Sequence, residues 1–328
     1  VVTMGNKIRL SKQQQRHVDR RRRVDGPPDE SLQSGIVVTH HGHDLLIEDT
    51  DHQLLRGRAR RTVGRLTTGD RIRWRRDPQG HIVIEQIETR RNLLVRPDAY
   101  GKKRMMAANI DQVLVVTSVL PWMNPDVVER TLVAVFALPA TPVIVLNKVD
   151  LLDGLDYGER HRIASTLALW ESLGFEVIRT SVKSGVGIAA LRDRLHDQIT
   201  LAVGLSGVGK TSLSREITPR AEQAAIGEIS SFNREGTHTT RASSLYRFTD
   251  GEGGLIDAPG VRDFPVDHVP TAAIDRGFPE IRAASAYCRF NDCRHVNEPG
   301  CAVRAAVTGG EILQRRLAQY QSMREPND

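Results

Sequence analysis

One octapeptide constrains this chain of 328 residues more than any other feature. Gly204-Leu205-Ser206-Gly207-Val208-Gly209-Lys210-Thr211 fits G-x-x-x-x-G-K-[ST], after an apolar run from Leu201 to Gly204 and before a segment expected to be helical. A strand that ends in such a loop and opens a helix is a phosphate cradle. Its glycines let successive backbone N–H groups converge on phosphate oxygens, and the helix N-terminus adds positive potential. Gly204, Ser206, Gly207, Val208, Gly209 and Ser212 are therefore expected to hold a nucleotide. Lys210 is expected to reach its β- and γ-phosphates, and Thr211 to ligate Mg²⁺.

The surrounding pattern agrees with an α/β sheet. After Asn109, apolar runs at Val113–Val119, Pro142–Leu146, Phe175–Arg179, Leu201–Gly204 and Gly254–Ile256 alternate with helical spacing such as Val127–Leu138 and His161–Leu173. That rhythm predicts a mostly parallel sheet with helices on both faces.

A phosphate loop does not select a base, and Asn147-Lys148-Val149-Asp150 supplies the selectivity as an N-K-x-D motif. The Asp150 carboxylate can accept from both the ring N–H and the exocyclic amine of guanine. Adenine presents a mismatched edge and leaves the carboxylate unpaired. Asn147 and the stem of Lys148 are expected to support the base and brace the phosphate loop. Thr180-Ser181-Val182-Lys183 follows the next strand and resembles the second base-contacting loop, with Ser181 and Val182 at the contact positions. Asp257-Ala258-Pro259-Gly260 matches D-x-x-G, with Asp257 holding Mg²⁺ through water and the Gly260 N–H facing the γ-phosphate. In Gly236-Thr237-His238-Thr239-Thr240, Thr239 and Thr240 offer hydroxyls for a further Mg²⁺ contact.

These are the parts of a GTPase in a circularly permuted order, because the base motifs precede the phosphate loop. Permutation leaves strand positions unchanged and moves only a surface connection. The segment beginning at Asp257 then runs directly into the C-terminal region.

All three cysteines, Cys288, Cys293 and Cys301, lie within fourteen residues together with His295. Four such ligands in a short stretch suit a closed tetrahedral Zn²⁺ site, and an odd cysteine count argues against a complete disulfide framework. With no position left open for water, the expected metal is structural.

Charge divides the chain. Residues 1–104 carry 23 Lys and Arg against 13 Asp and Glu, while the remainder carries 23 against 27. Concentrated positive charge is the footprint of a polyanion partner. Residues 5–33 are basic, Gln-rich and poor in apolar side chains, the composition of a flexible arm. From Ser34 to about Arg96, short β-rich runs at Gly35–Thr39, Asp44–Glu48, Arg71–Trp74 and His81–Ile87 predict a small barrel. An OB-like barrel is the leading candidate, since that architecture is a common platform for oligonucleotides; strand spacing alone does not separate it from an SH3-like one. A charged fraction of 26% excludes a low-charge membrane protein, and no apolar stretch reaches the ~20 residues a spanning helix needs. No apolar leader with a cleavage site opens the chain, so a cytoplasmic location is expected.

Taken together, these motifs resemble the RsgA (YjeQ) family of circularly permuted GTPases that depend on the small ribosomal subunit. The resemblance rests on the phosphate loop, Asn92-Leu93-Leu94-Val95-Arg96-Pro97, Ala107-Ala108-Asn109-Ile110-Asp111-Gln112, the Ile256–Phe264 segment and the Cys288–Cys301 stretch. It implies a multidomain chain: a basic arm (1–33), an OB-like β-barrel (34–104), a central α/β P-loop GTPase with permuted motif order (105–277) and a small helical zinc-binding domain (278–328). It also implies GTP/GDP, Mg²⁺ and one structural Zn²⁺ as cofactors. The implied activity is GTP hydrolysis in late maturation of the small (30S) subunit, stimulated by that subunit and coupled to rRNA binding by a monomer. Val261 follows Gly260 where conventional small GTPases carry a water-orienting Gln, so slow intrinsic turnover is expected and His238 is the candidate to position water. The alternative reading is a GTP-sensing rRNA-binding scaffold in which hydrolysis is incidental.

Overall fold

Alternating apolar and polar residues build the first unit. In the computed structural model, which describes residues 32–41, 44–97, 101–218, 243–248, 253–258 and 269–324, five strands close into a barrel. They are β1 (Gln33–His41), β2 (Asp44–Asp49), β3 (Leu54–Ala59), β4 (Arg71–Arg76) and β5 (Ile82–Ile87), joined in the order 1-2-3-5-4. β1 pairs antiparallel with both β2 and β4, whereas β3 and β5 run parallel. This is the OB connection, and it removes the SH3-like alternative. Val37, Leu45, Ile47, Ile72, Trp74, Ile82 and Ile84 fill the interior, and Trp74 donates its indole N–H to the Ser34 carbonyl at 3.0 Å.

A two-stranded hairpin, β6 (Leu93–Pro97) and β7 (Lys103–Ala108), follows the barrel. The expected boundary between residues 104 and 105 falls inside β7. Leu94, Met106 and Ala107 of this hairpin belong to the core of the next unit. The chain leading from the barrel into this hairpin is pinned by Asp70, which is fully buried and accepts from Arg90 Nε (2.6 Å), Arg90 Nη2 (2.8 Å) and the Thr67 N–H (2.8 Å).

The central sheet contains β8 (Gln112–Ser118), β9 (Thr141–Asn147), β10 (Val177–Arg179), β11 (Ile199–Val203), β12 (Ser244–Arg247) and β13 (Gly254–Asp257). Their order is 10-9-8-11-13-12, parallel throughout except for β12. Period-two alternation sends Val113, Val115, Ile144 and Leu146 into one core and Leu114, Val116, Val143 and Val145 into the other. Helices α1 (Pro125–Ala137) and α2 (Tyr157–Ser172) cover the first face; α3 (Ile188–Leu195) and α4 (Lys210–Ile217) cover the second. Asn124 caps α1 by accepting from the N–H groups of Asp126 and Val127, and Asp156 with Glu159 forms a capping box on α2.

The chain moves outward from β8 to β9 and β10, then returns to β11 on the opposite side of β8. Strand order reverses there, and in an open α/β sheet the C-terminal ends of the strands flanking such a reversal, here β8 and β11, are the usual ligand position.

Four short helices complete the chain: α5 (Thr271–Gly277), α6 (Pro279–Ser285), α7 (Ala302–Thr308) and α8 (Gln314–Arg324). Ile274, Phe278, Ile281 and Tyr320 pack on Val133 of α1. A buried charge cluster joins the same elements. Glu129 accepts from Trp170 Nε1 (3.0 Å) and from Arg315 Nη1 (3.0 Å), and lies 2.9 Å from Arg316 Nη1. Arg316 also donates to Glu280 at 2.5 Å. On the other side of the molecule the Ser243 carbonyl, just before β12, accepts from the barrel hydroxyls of Thr39 (3.0 Å) and Thr68 (2.7 Å). No helix among the described residues is long and apolar enough to cross a membrane.

Candidate functional site

The loop after β11 curls back because its glycines allow it. Gly204 has φ of +145°, and a Cβ there would lie 2.1 Å from the Val116 carbonyl oxygen. Gly209 has φ of +95°, and a Cβ there would lie 2.4 Å from Asn147 Nδ2. The second approach is informative because Asn147 belongs to the base motif. Glycine at 209 lets that motif and the phosphate loop touch.

They are tied together directly. Asn147 Nδ2 donates to the Val208 carbonyl at 2.9 Å, and the Asn147 Oδ1 accepts from Thr180 Oγ1 at 3.2 Å. Lys148, held in the left-handed region at φ of +60°, donates from Nζ to the carbonyls of Gly207 (2.6 Å) and Leu120 (2.7 Å). Ser181 Oγ donates to Asp150 Oδ1 at 2.6 Å, which fixes the carboxylate in a half-buried position. Val182, the next residue, is half-buried against the α3–α4 side of the sheet. Residues 147–150, 180–182 and 204–209 thus form one continuous rim, although 54 or more residues of sequence separate the first segment from the last.

Lys210 opens α4 and donates from Nζ to the carbonyls of Gly204 (2.6 Å) and Leu205 (2.7 Å), so its ammonium lies across the loop. Ser206, Thr211 and Ser212 are exposed at the loop and the first turn of α4. Asp257 is exposed at the end of β13, the parallel neighbour of β11, where Leu201 pairs with Ile256. The strand pairing brings the carboxylate's strand end alongside the phosphate loop. His238, Thr239, Thr240, Gly260 and Val261 lie outside the described residues.

The second constellation is the Cys288, Cys293, His295, Cys301 group, whose ligand atoms all lie within 4.8 Å of one another. Cys288 Sγ is 3.9 Å from Cys301 Sγ, and His295 Nδ1 is 3.6 Å and 3.4 Å from those two sulfurs. A tetrahedral Zn²⁺ with ~2.3 Å Zn–S and ~2.0 Å Zn–N bonds requires about 3.8 Å between sulfurs and about 3.6 Å between sulfur and nitrogen. The donor set fits that metal. Burial pushes the Cys293 thiol up to about 12, and the neighbouring thiols add to it, so a divalent cation is the physical means of holding it as a thiolate. Burial, with Arg324 adding to it, draws His295 below its ordinary value and keeps the imidazole in its neutral, ligating form.

Two supporting residues escaped the sequence reading. Ser285 Oγ lies 3.0 Å from His295 Nε2, which leaves Nδ1 turned toward the sulfurs. Glu298 accepts from the N–H groups of Arg294 (2.7 Å), Val296 (2.8 Å) and Asn297 (3.1 Å). Those bonds, that of Arg294 foremost, draw its carboxyl down to about 2. A glutamate three residues from the third and fourth ligands was the available signal for this turn.

Comparison with known proteins bears on both constellations. The profile of the family described as RsgA GTPase matches residues 87–267. The small ribosomal subunit biogenesis GTPase RsgA of Yersinia pseudotuberculosis serotype O:1b is 37% identical over 337 residues, covering 98% of this chain and 95% of the relative. The protein of the same name from Photorhabdus laumondii is 37% identical over 340 residues, with coverage of 98% and 96%. The crystal structure of YjeQ from Thermotoga maritima superposes with a TM-score of 0.71 at 29% identity, over 89% of this chain and 97% of that one. The circularly permuted GTPase YloQ superposes at 0.69 with 24% identity, over 92% and 100%, a likeness of fold.

Proposed function

Because this chain belongs to the RsgA GTPase family, we propose that it hydrolyses GTP to GDP and phosphate during late maturation of the small ribosomal subunit, at the rim joining β9 and β11. The observation that carries this reading is the direct bracing of the base motif against the phosphate loop, Asn147 on Val208 and Lys148 on Gly207. That bracing is what a guanine site needs, since the base and the polyphosphate must be held at a fixed separation.

In this reading Asp150, oriented by Ser181, accepts from the two guanine donors. The backbone N–H groups from Ser206 to Lys210 and the hydroxyls of Thr211 and Ser212 face the phosphates. On nucleotide binding Lys210 exchanges the carbonyls of Gly204 and Leu205 for β- and γ-phosphate oxygens. Thr211 and Asp257 would hold Mg²⁺, which neutralises charge on the β- and γ-oxygens. Water adds to the γ-phosphorus as the bond to the bridging oxygen breaks, and GDP leaves with that electron pair. His238, Thr239, Thr240 and Gly260 enter by motif alone. Val261 cannot orient water, so the subunit is assigned the task of completing the site, with His238 as the group it positions.

Cys288, Cys293, His295 and Cys301 would hold one Zn²⁺ that staples the segment between α6 and α7. The arm (1–33), the barrel (34–104) and the zinc-binding domain (278–328) flank the GTPase domain (105–277), and rRNA is the polyanion for their basic surface. The protein is taken to act as a cytoplasmic monomer. The test is GTP turnover with purified small subunits, large subunits or neither, with ATP as control. Strong stimulation by the small subunit alone is expected. Tight guanine-nucleotide binding without stimulation by either particle would replace this reading with a GTP-sensing RNA-binding scaffold.

A further inference from the structure

Several barrel arginines are neutralised internally. Arg58 pairs with Asp44 (3.0 Å), Arg73 with Glu88 (2.7 Å), and Arg75 with Glu85 (2.8 Å). One rim gathers cations without such neighbours. A cavity of about 570 Å³ lies between the β3–β4 loop and the β6–β7 hairpin, and no acidic residue among the described ones lines it. Arg60, Arg61 and Arg65 form one wall; Lys102, Lys103 and Arg104 form the other. Arg60 reaches out to Glu85 (3.0 Å), but Arg61, Arg65, Lys103 and Arg104 have no acidic partner among the described residues. Like charges facing one another across a concavity repel, and an anion between them removes that cost.

The floor is different in kind. Leu66 and Met105, both half-buried, present apolar surface beneath the charged walls. A phosphate ion would use the walls and leave the floor wet. A duplex keeps its base faces stacked inside the helix and would touch the rim alone. An unpaired nucleotide uses both, its base on the floor and the phosphates on either side of it running over the two walls. The volume lies within the ~300–1,000 Å³ typical of small-ligand sites and so accepts a splayed base with its sugar.

We propose that this cavity binds unpaired nucleotides of an RNA strand, with the base on Leu66 and Met105 and the flanking phosphates on the two basic walls. The proposal rests on the reading that the protein works on RNA, and it assigns RNA binding to the junction of barrel and hairpin.

Fluorescence anisotropy of the full chain with GDP, using a labelled ten-nucleotide single-stranded RNA and its duplex form across a salt series, tests it. The Arg61→Gln/Arg104→Gln variant should bind the single strand about tenfold more weakly, with the log–log salt slope shallower by about 1.4, or ~0.7 for each phosphate no longer neutralised. Met105→Ala should weaken binding about threefold with the slope unchanged. Basal GTP turnover, which uses none of the three residues, checks folding of both variants. Wild-type affinity in the double variant, or equal wild-type affinity for duplex and single strand, would overturn the proposal. So would competition by free GMP at the same concentrations as RNA. Subunit-stimulated turnover is measured separately, so loss of stimulation with RNA binding intact would strike the proposed function and leave this inference standing.

Discussion

The nucleotide rim and the Cys288–Cys301 knuckle both gather side chains from short loops, yet they are supported in opposite ways. The rim sits on a six-stranded sheet with a packed core on each face, and its shape is set by glycines and amide clamps. The knuckle, Cys288–Cys301, has two of its own ligands, Cys293 and Cys301, among the buried residues of its core. In one region the fold builds the site; in the other a bound Zn²⁺ would hold in place the segment that carries its own ligands. Removing the ligand should therefore abolish function at the rim and structure at the knuckle.

The largest effect follows from that contrast. Chelation, or Cys293→Ala, should open the 286–301 segment to protease, because structural Zn²⁺ contributes ~10–16 kcal/mol in small metal-folded units. GDP affinity should stay within about threefold of wild type in the same samples. Concurrent loss of GDP binding would erase the distinction.

The next effect lies at the seam between the two regions. Arg316→Met leaves buried Glu129 and half-buried Glu280 with one fewer cation, and should cost about 3 kcal/mol of global stability in denaturant melts, at the low end for a broken buried pair because Arg315 remains. An unchanged midpoint would show that the seam does not couple the C-terminal helices to α1.

A smaller change belongs to the rim. Ser181→Ala removes the donor to Asp150 and should weaken GDP binding about fivefold, or ~1 kcal/mol, with no change in melting temperature.

The smallest is pH-dependent and sits at the knuckle. Glu298 has its folded value drawn from 4.5 to about 2. A depressed acid stabilises the fold in full above its ordinary value and loses that contribution as pH falls toward the folded one. The melting-temperature gap between wild type and Glu298→Gln should be constant from pH 8 to about 5.5 and shrink below pH 5. A gap that widened on acidification would contradict the assignment.

Local chemistry was legible in the sequence where ligand spacing is short. The octapeptide at 204–211, the tetrapeptide at 147–150 and the cysteine cluster each announce their geometry within a few residues. What escaped was either masked by composition or set by long-range pairing. Strand β3 reads as a basic run because Arg56 and Arg58 alternate with small residues, and its strand character comes from pairing with β2 and β5. Likewise β12 is only four residues long and is held by β13 and by barrel hydroxyls on Ser243. The Glu129, Arg315, Arg316 cluster joins residues more than 180 apart, which no local period encodes. Ser285 and Glu298 act through one ring nitrogen and three backbone N–H groups, partners that become visible only once the knuckle is folded.

The central claim is that a motif on β9 and a loop on β11 form one guanine-reading site despite their reversed order. Calorimetric binding of GDP, ADP and xanthosine diphosphate to wild type and to Asp150→Asn tests it most directly, because Asn offers a donor where xanthine carries a second carbonyl. The account predicts that wild type prefers GDP over ADP by at least about a thousandfold, ~4 kcal/mol, and that Asp150→Asn prefers xanthosine diphosphate. Equal binding of GDP and ADP by wild type, or undiminished GDP binding by Asp150→Asn, would contradict it.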